Sequence, residues 1–256
     1  MAKGQIMKTG LTSVSFRSLS VDAVIELASR SGVDGIEWGS DVHVPETDVE
    51  NARRVAHKTV DAGLSVISYG SYFYLGEGID FTPYVDAAVA MNTKVIRIWG
   101  GKKERDEILP EEYAMLVREM RDVGALAAKR GITVALEYHG HSITATAEDA
   151  VRFIDDVGMD NVRLYWQEII GRSLEDNLAD IDLVLPYLVN VHVFNYVERK
   201  QELLGYADGP ERWQKYKAKI ASVTNSPAFM VEFCKGGLAE SFLSDAAVLN
   251  AVVHGK

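Results

Sequence analysis

The amino-acid sequence predicts an α/β protein that forms one closed (β/α)8 barrel. Short runs of β-branched residues alternate with longer amphipathic segments at intervals of about 30 residues, the length of a βα unit. Eight such units fit into 256 residues, which is the size of a closed parallel barrel. An open doubly wound sheet is the alternative, but its first turn is usually rich in glycine. Here that turn reads Thr-Ser-Val-Ser-Phe-Arg over 12–17.

Strands and helices are predicted in strict alternation along the whole chain. The predicted strands are Met7–Leu11, Gly35–Trp38, Leu64–Tyr69, Val95–Trp99, Ile132–Tyr138, Val162–Trp166, Leu188–Phe194 and Ala228–Phe233. The predicted helices are Val21–Ser31, Asp48–Ala62, Tyr84–Met91, Pro110–Arg130, Ala147–Asp156, Leu174–Leu185, Pro210–Ser222 and Ala239–His254. No linker rich in proline or serine divides these units, so residues 1–256 are predicted to form a single domain.

Several predicted helices have the residues that usually begin or end a helix. Gly32, Gly63 and Gly131 each follow a helix and precede a strand, where glycine supplies a left-handed residue that turns the chain back. Ser173 and Asp176 have the spacing of a capping box at the start of the sixth helix.

Composition and charge limit the class of protein. Apolar residues make up 47% and charged residues 25%, as in an ordinary globular domain. No apolar run reaches the ~18 residues of a membrane helix. Cys234 is the one cysteine and residues 1–10 lack a long apolar stretch, so we expect a cytoplasmic protein without disulfides. A net charge of −10 argues against a nucleic-acid partner.

Side-chain alternation predicts which polar residues face the inside of the barrel. Val134 and Leu136 should face the helices, so Glu137 points inward at the mouth where the fifth strand ends. The same alternation in the last three strands directs three further polar side chains to this mouth: Gln167, His192 and Glu232.

These four side chains together predict a metal site. Any one of them alone would be read as a solvated loop residue or a hydrogen-bonded core histidine. Two carboxylates buried side by side are costly unless a cation neutralises them. Two carboxylate oxygens, an amide oxygen and an imidazole nitrogen suit one divalent ion, such as Mn²⁺, Co²⁺, Mg²⁺ or Zn²⁺.

Short motifs at the strand ends resemble those of a known superfamily. They are Thr12–Arg17, Gly35–Trp38, Ala135–Glu137, Val191–Val193 and Val231–Glu232. In order and spacing they resemble the xylose-isomerase-like TIM barrels of the sugar phosphate isomerase/epimerase family. Members include tagatose- and psicose-type ketose epimerases, hydroxypyruvate isomerase and inosose dehydratase.

The resemblance implies roles for the four residues at the mouth. In the superfamily, a glutamate, an aspartate, a histidine and a glutamate from strands five to eight bind one divalent metal, and the two glutamates exchange protons with the substrate. The matching metal ligands are Glu137, Gln167, His192 and Glu232, with Glu137 and Glu232 as the catalytic pair. Gln167 replaces the aspartate, and Ile170 replaces a histidine of the epimerases. We therefore expect a weaker metal site that tolerates an anionic substrate.

Residues on the loops around the same mouth are candidate substrate contacts. His139 follows Glu137 with the same alternation, and Trp99 ends the fourth strand. His43 is either a substrate contact or an exposed loop histidine. Arg199 corresponds, with a shift of about one residue, to an arginine that contacts substrate in the epimerases. Glu37 is expected to brace neighbouring loops.

The expected function is a metal-dependent sugar or sugar-phosphate isomerase or epimerase that moves a proton beside a carbonyl through an enediolate. A lyase or dehydratase of a keto-sugar or polyol is the alternative, as is a barrel that binds carbohydrate without turnover. The Gly-Gly-Lys-Lys turn at 100–103 is either a phosphate contact or a solvated charged turn. The abasic-site endonucleases of the superfamily use more histidines than the six present here, which argues against an endonuclease. We expect a small-molecule partner, and the sequence leaves a homo-oligomer open.

Overall fold

The computed structural model describes residues 7–221 and 227–255. Within these ranges eight parallel strands close a barrel, which confirms the predicted (β/α)8 architecture. The strands are β1 (Lys8–Thr12), β2 (Gly35–Gly39), β3 (Ser65–Tyr74), β4 (Val95–Trp99), β5 (Thr133–Leu136), β6 (Val162–Trp166), β7 (Leu188–Val193) and β8 (Ala228–Val231). They follow one another around the barrel in chain order, and β8 pairs with β1 to close it.

The helices surround the barrel and agree closely with the predicted segments. They are α1 (Val21–Ser31), α2 (Val49–Asp61), α3 (Thr82–Ala90), α4 (Pro110–Ala128), α5 (Ala147–Val157), α6 (Leu174–Val184), α7 (Gly209–Ile220) and α8 (Ala239–His254). Asp48, predicted inside α2, instead caps it, because its carboxylate accepts a hydrogen bond from the Asn51 amide. Ser222, predicted to end α7, lies outside the described residues. Across the described ranges, no helix combines the length and apolar character that a membrane crossing requires.

The predicted helix ends are confirmed in the backbone. Gly32, Gly63 and Gly131 have φ angles of 72°, 80° and 64°. Ser173 caps α6 by accepting a hydrogen bond from the Asp176 amide at 3.0 Å. The three glycines let their helices turn back directly into the next strand.

Two features were not predicted. β3 continues to Tyr74, well past the predicted end at Tyr69. A small antiparallel hairpin, Tyr196–Val197 with Lys200–Gln201, follows β7. Its turn residues have positive φ, and two-residue strands leave too little alternation for a sequence pattern to show.

An apolar layer fills the middle of the barrel. Its buried members are Ala135, Tyr165, Ala228 and Met230, and three partly buried residues pack on them: Ile67, Val95 and Val189. A larger core between strands and helices includes Ile36, Trp38 and Val134. The central layer separates the mouth at the strand C-termini from the mouth at the strand N-termini, so each has its own chemistry.

Candidate active site

Polar side chains converge at the C-terminal mouth because the strands hold their backbone. Glu137 and Glu232 come directly after β5 and β8. Their amides still donate to the carbonyls of Ile98 and Val193, each at 2.9 Å, so the sheet pairing continues one residue beyond the strands. Both side chains are buried, with 2% and 5% exposure. The two glutamates are thus fixed by the barrel rather than by flexible loops.

A buried arginine, which sequence analysis missed, lies among these carboxylates. Arg97 is in the middle of β4 and is 1% exposed. Its Nε donates to Glu37 at 3.2 Å, and its Nη1 donates to Glu137. The alternation of Ile96 and Ile98 on the outer face would have revealed it as an inward charge.

Gly70 on β3 provides the space for the Arg97–Glu37 ion pair. A Cβ atom added there would lie 2.9 Å from the guanidinium and 2.9 Å from the Glu37 carboxylate. Ser68 on the same strand donates a hydrogen bond to Glu37 at 2.7 Å. Glu37 therefore braces the site through its contacts with Ser68 and with Arg97, an arginine that was not predicted to lie there.

His192 lies at the centre of the carboxylates and is fully buried. Its Nε2 is 3.3 Å from Glu37, and its Nδ1 is 3.2 Å from Glu232 and 3.6 Å from Glu137. Neither nitrogen forms an aligned hydrogen bond. Glu37 on one side favours the proton on Nε2, which turns the Nδ1 lone pair towards the two glutamates.

The local charges shift the pKa values of these groups strongly. Burial alone would raise the pKa of Glu37, but Arg97 and His192 outweigh it and lower the pKa to about 2. Burial would also raise the pKa of Glu137, but the Arg97 charge outweighs burial and lowers this pKa below its ordinary value. Burial would lower the pKa of His192, whereas Glu232 and the other carboxylates raise it well above the usual range. The site as a whole attracts positive charge.

The residues present fit a divalent metal ion. Ligand atoms of Glu137, His192 and Glu232 lie within 4.8 Å of one another. The Oε1 atom of Gln167 is buried nearby without a hydrogen-bond partner, as are both His192 nitrogens. Once His192 gives up its proton to act as a ligand, Glu37, Glu137 and Glu232 against Arg97 leave two net negative charges, which one divalent ion would balance. Buried lone pairs without partners are what a bound cation would satisfy.

A cavity of about 350 Å³ opens above these residues. Glu137, Gln167 and Glu232 contribute to its polar part. Its aromatic wall consists of Tyr72, Tyr74, Trp99, Phe194, Tyr196 and Phe233. Two of the predicted substrate contacts, Trp99 and His139, line the cavity. Their rings pack edge to face, with 4.7 Å between the ring centroids.

Two other predicted substrate contacts need correction. His43 is neither an exposed loop residue nor part of the cavity lining. Its ring is 4% exposed, and its nitrogens contact the Ser13 hydroxyl and the Leu19 carbonyl, each at 3.1 Å. Arg199 is exposed in the turn of the hairpin after β7 and is not among the residues that line the cavity.

The charged turn after β4 does not form a phosphate cradle. Lys102 pairs with Glu77, and Lys103 pairs with Glu112 at 2.9 Å. Because each lysine already has a carboxylate partner, the turn fits the solvated alternative.

Comparison with known proteins agrees with this geometry. A family model described as xylose isomerase-like TIM barrel matches residues 25–193. The chain belongs to the xylose isomerase-like TIM barrel family. A protein related to this chain in sequence is the 3-dehydroshikimate dehydratase of Bacillus anthracis. The two are 23% identical over 201 residues, which cover 74% of this chain and 72% of the relative.

Solved structures of similar fold include both dehydratases and epimerases. A probable 3-DHS dehydratase of petrobactin synthesis from Bacillus anthracis has a TM-score of 0.78 and 17% identity, covering 95% of this chain and 99% of that one. A D-psicose 3-epimerase from Clostridium cellulolyticum H10, crystallised with D-tagatose, has a TM-score of 0.76 and 16% identity over 97% and 99% of the chains. The IOLI protein, solved with a zinc atom, has a TM-score of 0.75 and 16% identity over 97% and 99%.

Proposed function

We propose that this protein is a metal-dependent isomerase or epimerase of a sugar or sugar phosphate, acting by proton transfer beside a carbonyl. The observation that supports it is the pair of buried glutamates, Glu137 and Glu232, which both lie beside Nδ1 of His192 and line one cavity. Carboxylates in such a position act as general bases and acids on a carbon next to a carbonyl. The family and its epimerase members in the structural comparison support the same class.

The two glutamates differ in their environment, and this difference assigns their roles. Arg97 holds one oxygen of Glu137, lowers its pKa and keeps it ionised. Glu232 contacts no arginine or lysine among the described residues and lines the cavity. Glu232 therefore removes the proton from the substrate carbon to give the enediolate, and it returns the proton to the adjacent carbon in an isomerisation. In an epimerisation the proton returns to the opposite face through Glu137, which also orients the substrate hydroxyl groups and would ligate the metal.

Glu137, Gln167, His192 and Glu232 would hold the divalent ion. When bound, the ion supplies a Lewis acid that polarises the substrate carbonyl. Glu37 and Arg97 orient the ligands from below, as outer residues around metal sites commonly do.

The wall of the cavity fits a polyhydroxylated substrate. Trp99 and Tyr74 stack with 5.3 Å between their ring centroids. Aromatic rings of this kind pack well against the C–H face of a sugar. His139 adds a partly buried hydrogen-bonding group beside Trp99. A cavity of about 350 Å³ accommodates a single monosaccharide-sized molecule.

Dehydration of a hydroxylated keto compound is the second candidate. It is favoured by the sequence relative, a 3-dehydroshikimate dehydratase, and by Glu232, which among the described residues contacts His192 but no arginine or lysine. Dehydration needs one base beside the carbonyl and the departure of a hydroxyl group from the next carbon. The same first step thus serves both reactions, and they differ in what leaves afterwards.

Solvent exchange separates these functions. The protein is loaded with Mn²⁺ and incubated in D₂O with a panel of ketoses, aldoses, their phosphates and 3-dehydroshikimate, and products are followed by NMR. Deuterium on the carbon next to the carbonyl supports isomerisation or epimerisation. Loss of water with a new carbon–carbon double bond selects the dehydratase. Binding of a sugar with neither change would contradict both and leave a carbohydrate-binding barrel.

A further inference from the structure

A second cavity, of about 610 Å³, lies at the opposite mouth of the barrel. Its lining comes from the first residues of the strands and from the turns before them, including Lys8, Thr133 and Leu188. Its inner surface is the central apolar layer, through Ile67 and Val189. It is therefore separated from the candidate active site by the full thickness of that layer.

Among the residues that the structure describes, three cations and no acidic side chain line this cavity. They are Lys8, Lys94 and Arg163. Lys8 donates a hydrogen bond to the Ser65 hydroxyl at 3.0 Å, and Arg163 reaches only the Val162 carbonyl, at 3.4 Å. Within residues 7–221 and 227–255, none of the three forms an ion pair with a carboxylate.

This pattern stands out in a chain of net charge −10. In the cavity beside the turn after β4, by contrast, Lys102 is neutralised by Glu77 and Lys103 by Glu112. Three like charges around one concave surface repel one another, and a low-dielectric wall strengthens the positive potential inside it. An anion with more than one negative charge would relieve that repulsion.

We propose that this N-terminal mouth binds a small phosphate-bearing anion at a site distinct from the candidate active site. Lysine ammonium groups and an arginine fork are the side chains that bind phosphate oxygens best. Lys8 and Lys94 are exposed at the cavity, and Arg163 is half-buried in it. The proposal does not depend on the reaction at the other mouth.

The test measures the thermal unfolding midpoint of the full-length protein against inorganic phosphate and pyrophosphate, without divalent metal. Potassium chloride of equal ionic strength is the reference. Both anions should raise the midpoint to a plateau, and pyrophosphate should bind more tightly because it carries more charge. The triple variant K8Q/K94Q/R163Q should bind pyrophosphate at least about tenfold more weakly, a change of about 1.4 kcal/mol.

The matched control is R118Q/K129Q/K215Q, which removes the same charge from exposed positions outside the cavity. It should bind within about twofold of the wild type, since exposed and screened charges contribute little. Amide shifts in NMR should move at Thr93 and Thr133. Loss of affinity in the control to the same extent, or shifts confined to Glu137, would overturn the proposal, as would a wild type that does not respond. If the triple variant does not fold, K94Q alone with the same shifts gives the answer.

Discussion

The two mouths of the barrel are built on the same strands but have opposite charge. At the C-terminal mouth, Glu37, Glu137 and Glu232 surround His192 and share one arginine, Arg97. At the N-terminal mouth, the described residues that line the cavity include three cations and no acidic side chain. The carboxylates are almost completely buried, whereas the lysines of the other mouth are exposed.

This difference separates two ways of holding charge. The C-terminal mouth keeps charges in a fixed, desolvated geometry, which suits proton transfer and metal binding. The N-terminal mouth keeps them in solvent on long side chains, where each costs little and is held loosely. Substitutions at the first mouth should therefore have large effects on activity and folding, and single substitutions at the second should have small ones.

The largest effect is expected for removal of the proposed base, Glu232. Glu232→Gln keeps the size of the side chain but removes its ability to accept a proton. It should lower the rate of deuterium exchange into substrate by about 10²- to 10⁴-fold. The exposed Glu198→Gln, in the turn of the hairpin, is the control and should leave the rate unchanged. Equal rates in E232Q and the wild type would exclude Glu232 as the base.

Removal of the shared cation should affect stability almost as strongly. Arg97→Met leaves Glu37 and Glu137 buried without their partner, which typically costs about 3–5 kcal/mol in the free energy of unfolding. Denaturant unfolding measures the loss. The double variant E37Q/R97M should lose less than the sum of the two single variants, because one unpaired charge is gone.

Arg130→Met is the surface control for this experiment. Arg130 pairs with Asp86 at 3.7 Å, and both side chains are nearly half exposed. Its loss should change the free energy of unfolding by ~0–1 kcal/mol. An R97M protein as stable as this control would show that the buried network does not hold the C-terminal mouth together.

A smaller effect is expected from changing the charge of the fourth ligand. Gln167→Glu keeps the length of the side chain. It places a negative charge at the position of the buried Oε1, which has no hydrogen-bond partner. It should tighten Mn²⁺ binding by about tenfold, measured by calorimetry, which corresponds to about 1.4 kcal/mol. The exposed Gln214→Glu on α7 adds the same charge far from the site and should leave the affinity unchanged. Unchanged or weaker binding in Q167E would remove Gln167 from the ligand set.

The fold and the position of the two glutamates could be predicted from sequence, because both follow from local periodicity. Strand alternation placed Glu137 and Glu232 inward, and the barrel determines where strand ends meet. Contacts between side chains from distant strands have no such local pattern. The Arg97–Glu37 pair joins β4 to β2, and the space beside Gly70 that admits it is visible only in three dimensions.

Errors in the loops have the same origin. His43 and Arg199 follow strands and so were expected near the mouth, but a loop residue can turn away from it. His43 is held by Ser13 and Leu19, and Arg199 by the left-handed turn of the hairpin. Alternation carries no information several residues beyond a strand, where His43 and Arg199 lie.

Asp245 on α8 tests whether a buried carboxylate needs a cation in this protein. Its one hydrogen bond comes from the Leu204 amide at 2.6 Å, and burial raises its pKa to about 6 against that bond. The pKa of Glu37, which is buried beside Arg97, is lowered instead. Since the folded protein holds the Asp245 proton more tightly than the unfolded chain, this group lowers stability as pH rises from about 4 to about 6, and the full cost remains above that range.

Asp245→Asn keeps the acceptor for Leu204 and removes the ionised form. At pH 7 it should raise the free energy of unfolding by on the order of 1 kcal/mol, because solvent screening reduces the cost of a partly buried charge. The gain should shrink towards pH 4, where the wild-type carboxyl is neutral when folded. Thermal unfolding across this range measures it, with the exposed Asp61→Asn as control. A gain that is independent of pH would mean that packing, rather than the missing cation, distinguishes Asp245 from Glu37.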